Sequence, residues 1–202
     1  MIDRALLPLI HRLLAPGARA LAAAGVSADA ISLTGFVVGV AGAAAIAAGW
    51  FGVGLAAILA SRVCDGLDGA VARLNGPTDR GAFIDAAFDF VFYASIPAAF
   101  ALADPARNAL AASLLLLAFM GTASSFLAFA VLAAKRGMIS AAFPRKGIFY
   151  LGGLTEATET LACFAAMCLW PAAFAPLALL FAAACAVTTV MRWWWGWRVF
   201  AE

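Results

Sequence analysis

The sequence predicts an all-α integral membrane protein, with six transmembrane helices preceded by an interfacial amphipathic helix. Composition is the first reason. Hydrophobic residues make up 66% of the 202 positions, and the mean hydropathy is +1.01. Charged residues make up only 12%, against about 25% in a soluble domain, so one soluble core could not hide this much apolar surface. The second reason is that the apolar residues fall into runs near the ~20 residues that a membrane-spanning helix needs.

The first 26 residues are too often interrupted by charge to cross a bilayer, and they predict a helix lying in the cytoplasmic interface. Leucines occupy one side of the helical wheel. The other side carries Arg4, His11, Arg12 and Arg19. Because proline removes a helical hydrogen bond, we expect a break near Pro16-Gly17.

Residues 27–202 are predicted to form one six-helix bundle, so that residues 1–202 make a single domain. Short polar or proline-containing connections separate the apolar runs. The predicted spans are 31–49, 52–73, 82–103, 109–134, 151–170 and 174–195.

Basic residues predict the topology. Nearly all of them fall on one side of the membrane if the N-terminus is inside, whereas the other side keeps little more than Arg107. This asymmetry follows the positive-inside rule, so both termini are expected in the cytoplasm. We expect a multi-pass protein of a bacterial inner membrane. A net charge of +2 and the lack of a basic patch interleaved with aromatic residues argue against nucleic-acid binding.

Four aspartates interrupt the second and third spans. Asp65 and Asp68 are three residues apart and Asp85 and Asp89 are four apart, so each pair shares one face of a helix. Asp65 and Asp89 each lie eight residues from the connecting turn, which is roughly 12 Å at the helical rise. The spacing predicts that the four carboxylates meet at matched depths across one helix–helix seam, on the cytoplasmic side.

Four carboxylates in this setting favour a bound cation. They would repel one another, and moving each from water into the membrane is costly. All-oxygen ligands suit Mg²⁺ or Mn²⁺, and four carboxylates are enough for two ions that share ligands. The alternative is a set of unrelated polar residues satisfied by neighbouring helices. Arg73, beside the small residues Gly66, Gly69 and Ala70, adds a cation suited to phosphate, so the pattern indicates a diphosphate ligand.

These residues resemble the motif of the CDP-alcohol phosphotransferases, also called CDP-alcohol phosphatidyltransferases. In this sequence the motif reads Asp65-x2-Asp68-Gly69-x2-Ala72-Arg73-x7-Gly81-x3-Asp85-x3-Asp89. Every fixed residue is present. The seven-residue spacer before Gly81 departs from the eight that members commonly carry, and it falls in the turn.

The resemblance implies a metal-dependent transferase that uses CDP-diacylglycerol or another CDP-alcohol and acts as a homodimer. It implies that Asp65, Asp68 and Asp85 are metal ligands, and that Asp89 is both a ligand and the general base. The positions that resemble the CDP pocket of the family are Gly69, Ala72, Arg73 and Gly81, with Thr34 as a weaker match.

Two groups of charged residues point to different acceptor alcohols. A set that we name the basic rim suits a phosphorylated acceptor such as glycerol 3-phosphate or inositol phosphate, although positive-inside charge also explains it. The basic rim consists of Lys135, Arg136, Arg145, Lys146 and Arg192. Glu156 and Glu159 suit a cationic alcohol such as choline, ethanolamine or serine. The alternative is that they only stabilise the start of a helix, where acidic residues are favoured. By its frequency in the family, glycerol 3-phosphate is the expected acceptor, with inositol as a further alternative.

A transporter for protons or divalent cations is the alternative from another class, because buried acids also mark ion pathways. Such transporters show internal repeats and helices broken near the middle of the membrane. This sequence has no visible repeat, and its acids lie in the cytoplasmic third, which favours the enzyme.

Overall fold

The computed structural model describes residues 2–138 and 153–201, and these residues are all-helical, with no strand among them. A single 3₁₀ turn, Pro171–Ala173, precedes the last helix. The α-helices are α1 (Ile2–Ala23), α2 (Ala28–Ala47), α3 (Phe51–Asn75), α4 (Asp79–Ala103), α5 (Pro105–Lys135), α6 (Ala157–Leu169) and α7 (Phe174–Val199).

Helix α1 is continuous through Pro16, so the predicted break near Pro16-Gly17 is wrong. Packing against α3 explains the difference. Ala18 is buried in a small cluster with Val71, and a Cβ placed on Gly17 would lie 3.4 Å from Leu67. Contacts of this kind compensate for the hydrogen bond that the proline removes. The interfacial location of α1 stays a prediction.

The predicted spans correspond to helices α2 to α7, and four segments in the described residues are long and apolar enough to cross a membrane. They are Ala28–Ala47, Asp79–Ala103, Pro105–Lys135 and Pro171–Val199. Helix α3 has 25 residues, enough for a span, but it is interrupted by charged side chains. Helix α6 has 13 residues, about 20 Å at the helical rise. The structure thus supports a multi-pass membrane protein, and the six-span topology stays a prediction.

The fifth predicted span, 151–170, starts too early. Residues 153–156 are not helical, and α6 begins at Ala157. The backbone N–H of Glu156 donates to Oε2 of Glu159 at 3.2 Å, as in a capping box, which satisfies a donor that the helix leaves unpaired. Hydropathy does not register this local bond, so the apolar run predicts a helix that starts before Ala157.

The turn between α3 and α4 holds the seven-residue spacer. Gly76 has φ +95°, which a residue with a Cβ adopts with difficulty. Thr78 then caps α4, because its Oγ1 accepts a hydrogen bond from the N–H of Gly81 at 3.0 Å. Arg80 Nε donates to Asp29 Oδ2 at 2.7 Å, which ties the start of α4 to the start of α2.

The apolar core lies between α4, α5, α6 and α7, with parts of α2 and α3. Phe92, Phe100, Phe164 and Phe174 are fully buried there. The rings of Phe100 and Phe174 stack with centroids 4.5 Å apart. Burial of such aromatic side chains stabilises helix packing. Phe92 lies three residues after Asp89, so the buried face of α4 continues the face that carries its aspartates.

Helix α2 packs closely against both α3 and α4, whereas α3 and α4 approach each other only loosely. Glycines make the close approach possible. A Cβ on Gly35 would lie 2.7 Å from Cys64 Cβ of α3, and one on Gly39 would lie 2.6 Å from the Phe92 ring of α4. Small residues at this spacing let membrane helices approach each other closely. The carboxylates therefore do not face each other across one tight α3–α4 seam, as predicted, but line a space between three helices.

Candidate functional site

A pocket lies where α2, α3 and α4 meet, and all four aspartates of the sequence pattern line it. The complete lining is Ser32, Gly35, Phe36, Ser61, Arg62, Asp65, Asp68, Asp85, Phe88 and Asp89. Each helix contributes residues three or four apart, so each presents one face to the pocket. The helical spacing that predicted the cluster is therefore what assembles it.

Three of the carboxylates form a group that could hold a metal ion. One oxygen atom from each of Asp65, Asp68 and Asp85 lies within 4.8 Å of the other two. Asp68 is buried, with 6% exposure, and its Oδ2 accepts a hydrogen bond of 2.5 Å from Ser32 Oγ. A donor set made of carboxylate oxygens, with one ligand held by a neighbouring hydroxyl, fits a hard divalent cation.

Asp89, the fourth aspartate, is paired with an arginine that the sequence analysis did not single out. Arg62 Nη1 donates to Asp89 Oδ1 at 2.7 Å, and the same nitrogen lies 3.4 Å from Asp65 Oδ1. The arginine thus joins one carboxylate of α3 to one of α4. This agrees with the depth counting, which placed Asp65 and Asp89 at the same level.

The surroundings of Arg62 hold it in one place. Its guanidinium carbon lies 4.1 Å from the centroid of the Phe92 ring and 5.5 Å from that of Tyr93. Nη2 donates to Ser61 Oγ at 3.3 Å. Its side chain is 14% exposed, and Nε is buried without a hydrogen-bond partner among the described residues. A charge placed so deep on an aromatic face is costly to desolvate, and the adjacent carboxylates offset that cost.

A pair of aromatic rings forms another wall of the pocket. Phe36 of α2 and Phe88 of α4 stack with centroids 4.3 Å apart and an interplanar angle of 17°. Both residues line the pocket. The site therefore combines charged groups on α3 and α4 with an apolar wall, which suits a ligand that has both an ionic and a hydrocarbon part.

The described residues of the basic rim do not form one cluster. Lys135 is exposed at the end of α5. Arg136 Nη1 donates to the Val199 carbonyl at 3.2 Å, and its guanidinium lies 5.1 Å from the Phe200 ring centroid. Arg192 Nη1 donates to the Thr122 carbonyl at 3.0 Å, which bridges α7 and α5. Arg145 and Lys146 lie outside the described residues.

The two glutamates lie at the start of α6, where their carboxylates accept backbone hydrogen bonds. Glu159 accepts from the Glu156 N–H, and Glu156 Oε1 accepts from the Gly153 N–H at 3.2 Å. These bonds explain the pair as helix-capping residues.

Comparison with known proteins identifies the family. The family model for CDP-alcohol phosphatidyltransferase matches residues 25–197. The chain belongs to this family. It is accordingly a transferase of phospholipid biosynthesis with transmembrane helices, as the motif predicted.

Two relatives in the family illustrate the range of similarity. The chain is 48% identical to the inner membrane protein YnjF of Escherichia coli (strain K12) over 196 residues, which is 97% of this chain and 95% of that protein. It is 43% identical to archaetidylinositol phosphate synthase of Methanothermobacter thermautotrophicus over 83 residues, or 41% of each chain.

Solved structures share the fold. Phosphatidylinositol phosphate synthase (PgsA1) of Mycobacterium tuberculosis with CDP-DAG bound superposes with a TM-score of 0.73 at 24% identity, covering 92% of this chain and 94% of that one. The same enzyme in complex with manganese and citrate gives a TM-score of 0.72 at 24% identity, covering 91% and 88%. At this identity the likeness shows that the fold is shared.

The other motif positions of the family lie on the last turns of α3 and the first turn of α4, outside the residues that line the pocket. Gly69 faces Arg73, since a Cβ on the glycine would lie 3.4 Å from Arg73 Nη1. Gly81 lies in the first turn of α4, beside the cap residue Thr78. Ala72 belongs to the last turns of α3, with Arg73 exposed beside it.

Thr34 lies on α2 but is exposed, and its Oγ1 donates to the Ala30 carbonyl at 2.7 Å. Ser32, two residues earlier, is the hydroxyl of this segment that lines the pocket. A contact between Thr34 and a substrate stays a prediction.

Proposed function

We propose that this chain moves the phosphatidyl group of CDP-diacylglycerol to the hydroxyl of a small phosphorylated alcohol and releases CMP. One observation carries the proposal: the four motif aspartates converge on a single pocket between α2, α3 and α4. The acceptor that we rank first is an inositol phosphate, and glycerol 3-phosphate comes second.

Asp65, Asp68 and Asp85 would hold a divalent cation, Mg²⁺ or Mn²⁺, and Asp89 would complete the ligands if two ions bind. The oxygen group within 4.8 Å supports this assignment. When bound, the cation neutralises the diphosphate and the charge that develops on the departing CMP. The relative of the same fold that was solved with manganese and citrate supports metal use, and the number and identity of ions stay proposals.

Residues of the chain supply the rest of the chemistry. Asp89 accepts the proton of the acceptor hydroxyl, whose oxygen forms a bond to the phosphorus that carries the diacylglycerol. The bond from that phosphorus to the oxygen of CMP breaks, and CMP leaves. Arg73, with Gly69 and Gly81 beside it, is suited to bind the diphosphate near the cytoplasm. Phe36 and Phe88 give the glycerolipid an apolar wall.

The contacts of the charged residues favour a phosphorylated acceptor over a cationic one. Glu156 and Glu159 already accept backbone hydrogen bonds at the start of α6, which supports capping. Arg192 Nη1 donates to the Thr122 carbonyl at 3.0 Å, and the positive charge of this guanidinium suits an anionic acceptor. The relative named as an archaetidylinositol phosphate synthase, at 43% identity over 83 residues, shifts our preference from glycerol 3-phosphate to inositol phosphate.

Family membership favours the transferase over a cation or proton transporter. The cytoplasmic position of both termini and of the pocket, and assembly into a homodimer, remain part of the proposal.

The decisive experiment is an acceptor screen with purified protein, CDP-diacylglycerol and Mg²⁺ or Mn²⁺. Inositol phosphate, glycerol 3-phosphate, inositol, serine, choline and ethanolamine are offered in turn, while CMP release and the lipid product are followed. Chelation by EDTA should abolish turnover, and Mn²⁺ should restore it. Asp65→Asn, purified in the same way, controls for contaminating enzymes.

CMP release with inositol phosphate supports the full proposal. Release with an unphosphorylated amine alcohol alone would show that the acceptor is wrong. If the wild-type protein releases no more CMP than Asp65→Asn with any acceptor, the transferase proposal fails.

A further inference from the structure

Arg62 is a charged residue inside the pocket that the family motif does not contain, since the motif begins at Asp65. It lies one helical turn before that aspartate, so it projects from the same face of α3. Its Nη1 contacts Asp89 at 2.7 Å and Asp65 at 3.4 Å. It thus touches one carboxylate of the metal-binding group and the carboxylate that we assign as the base.

Three contacts determine where the guanidinium points. Phe92 supports its face at 4.1 Å, Ser61 accepts from Nη2, and Asp89 accepts from Nη1. Ser61 and Phe92 are fully buried, so neither can move away easily. A planar donor clamped in this way holds a carboxylate in one rotamer better than a flexible ammonium would.

The charge of Arg62 also acts on the metal-binding group. Four ionised aspartates carry a formal charge of −4, and the arginine reduces the total to −3. Asp65 contributes to the group suited to a cation and also faces Arg62. A divalent cation and Arg62 therefore compete for the same negative charge, and at these distances the repulsion between two cations is substantial.

We infer that Arg62 is a positioning residue that orients Asp89 through Oδ1, leaving Oδ2 to face the acceptor, and that its charge weakens cation binding in return. The first part rests on the proposed function, because it concerns Asp89 as the base. The second part depends only on the charges in the pocket. Together they predict that removing Arg62 changes turnover and metal affinity in opposite directions.

The test compares Arg62→Met and Arg62→Lys with the wild type. Mn²⁺ affinity is measured by calorimetry on the protein without substrate, and kcat and KM for CDP-diacylglycerol by CMP release. For Arg62→Met we expect Mn²⁺ to bind about tenfold more tightly, kcat to fall about 100-fold, and KM to stay within about threefold. Arg62→Lys keeps the positive charge but loses the planar guanidinium that holds Asp89. Its Mn²⁺ affinity should therefore stay near wild type while kcat falls about tenfold.

Arg80→Met is the matched control. It removes the same charge from an exposed side chain that pairs with Asp29, and it should leave both quantities within about twofold of wild type. Arg62→Gln repeats the measurement if Arg62→Met does not purify as a folded protein.

If Arg62→Met has a lower kcat together with unchanged or weaker Mn²⁺ binding, the inference is overturned. Arg62 would then only stabilise the packing of the pocket. An unchanged kcat would also overturn the inference. If the wild-type protein releases no CMP, the proposed function is contradicted instead. The Mn²⁺ affinity of Arg62→Met then still tests whether the charge of Arg62 weakens cation binding.

Discussion

The pocket lined by the four aspartates and the basic rim differ in whether their charged side chains lie together. Asp65, Asp68, Asp85 and Asp89 lie around one space, held by α2, α3 and α4. The described members of the basic rim point to separate places: Arg136 contacts the end of α7, and Arg192 bridges α7 to α5. One group is a preformed site, whereas the other consists of side chains with individual structural contacts.

This difference matches the two tasks of the enzyme. Every CDP-alcohol presents the same diphosphate, so the groups that act on it can be fixed by the helix framework. The acceptor alcohol varies within the family, and the described basic-rim residues that we predict to select it lie on different helices. A substitution in the pocket should therefore affect catalysis itself, whereas a substitution in the basic rim should affect the choice and affinity of one substrate.

The largest effect is expected for Asp89→Asn. Asparagine keeps the size of the side chain but cannot accept the proton of the acceptor hydroxyl, so kcat should fall about 10²- to 10⁴-fold. Binding of CDP-diacylglycerol should stay nearly unchanged. CMP release and a direct binding measurement on the same preparation separate the two quantities.

Asp104→Asn is the control for this substitution. Asp104 caps α5, accepting from the Arg107 N–H at 3.2 Å, and asparagine is an equally good cap. Near-normal turnover of Asp89→Asn would contradict its role as the base.

An intermediate effect is expected for Arg192→Gln. If Arg192 binds the phosphate of the acceptor, its loss should raise KM for that acceptor about tenfold or more, while KM for CDP-diacylglycerol stays within about twofold. Steady-state CMP release with each substrate varied in turn measures both. Arg198→Gln removes the same charge from the same helix, at a residue that stacks on Trp194 at 4.1 Å. If both KM values rise together in Arg192→Gln, the basic rim is not an acceptor site.

The smallest effect is expected for Ser32→Ala. The serine donates to Asp68 Oδ2, and losing one hydrogen bond of about 1 kcal/mol should weaken Mn²⁺ binding about fivefold. Ser113→Ala is the control, because that hydroxyl donates to the Ala109 carbonyl of its own helix. Calorimetry on both variants measures the difference in Mn²⁺ affinity. Equal affinities would show that Ser32 does not contribute to the metal-binding group.

The sequence predicted the aspartate pocket because helical geometry is local. Spacings of three and four residues place Asp65 with Asp68 and Asp85 with Asp89, and counting from one turn places the pairs at similar depth. Arg62 also carried a signal, as a charged residue inside an apolar run and one turn before Asp65. An ionisable residue in a membrane helix is a functional candidate by default, so Arg62 could have been predicted from its position alone.

Other features depend on contacts that no local pattern contains. The distance between α3 and α4 is set by how closely α2 approaches each of them, through Gly35 and Gly39. The continuity of α1 through Pro16 depends on its packing against α3. In each case tertiary contact overrides the local preference.

Helix α2 has a role that its own chemistry does not reveal. It contributes no carboxylate to the pocket, yet it lies against both helices that do. The opening between the two aspartate pairs is consequently a property of the glycine face of α2. Larger side chains on that face would push α3 and α4 apart without replacing any of the carboxylates. The radius of the ion that fits best can thus be retuned on a helix that supplies none of its carboxylates.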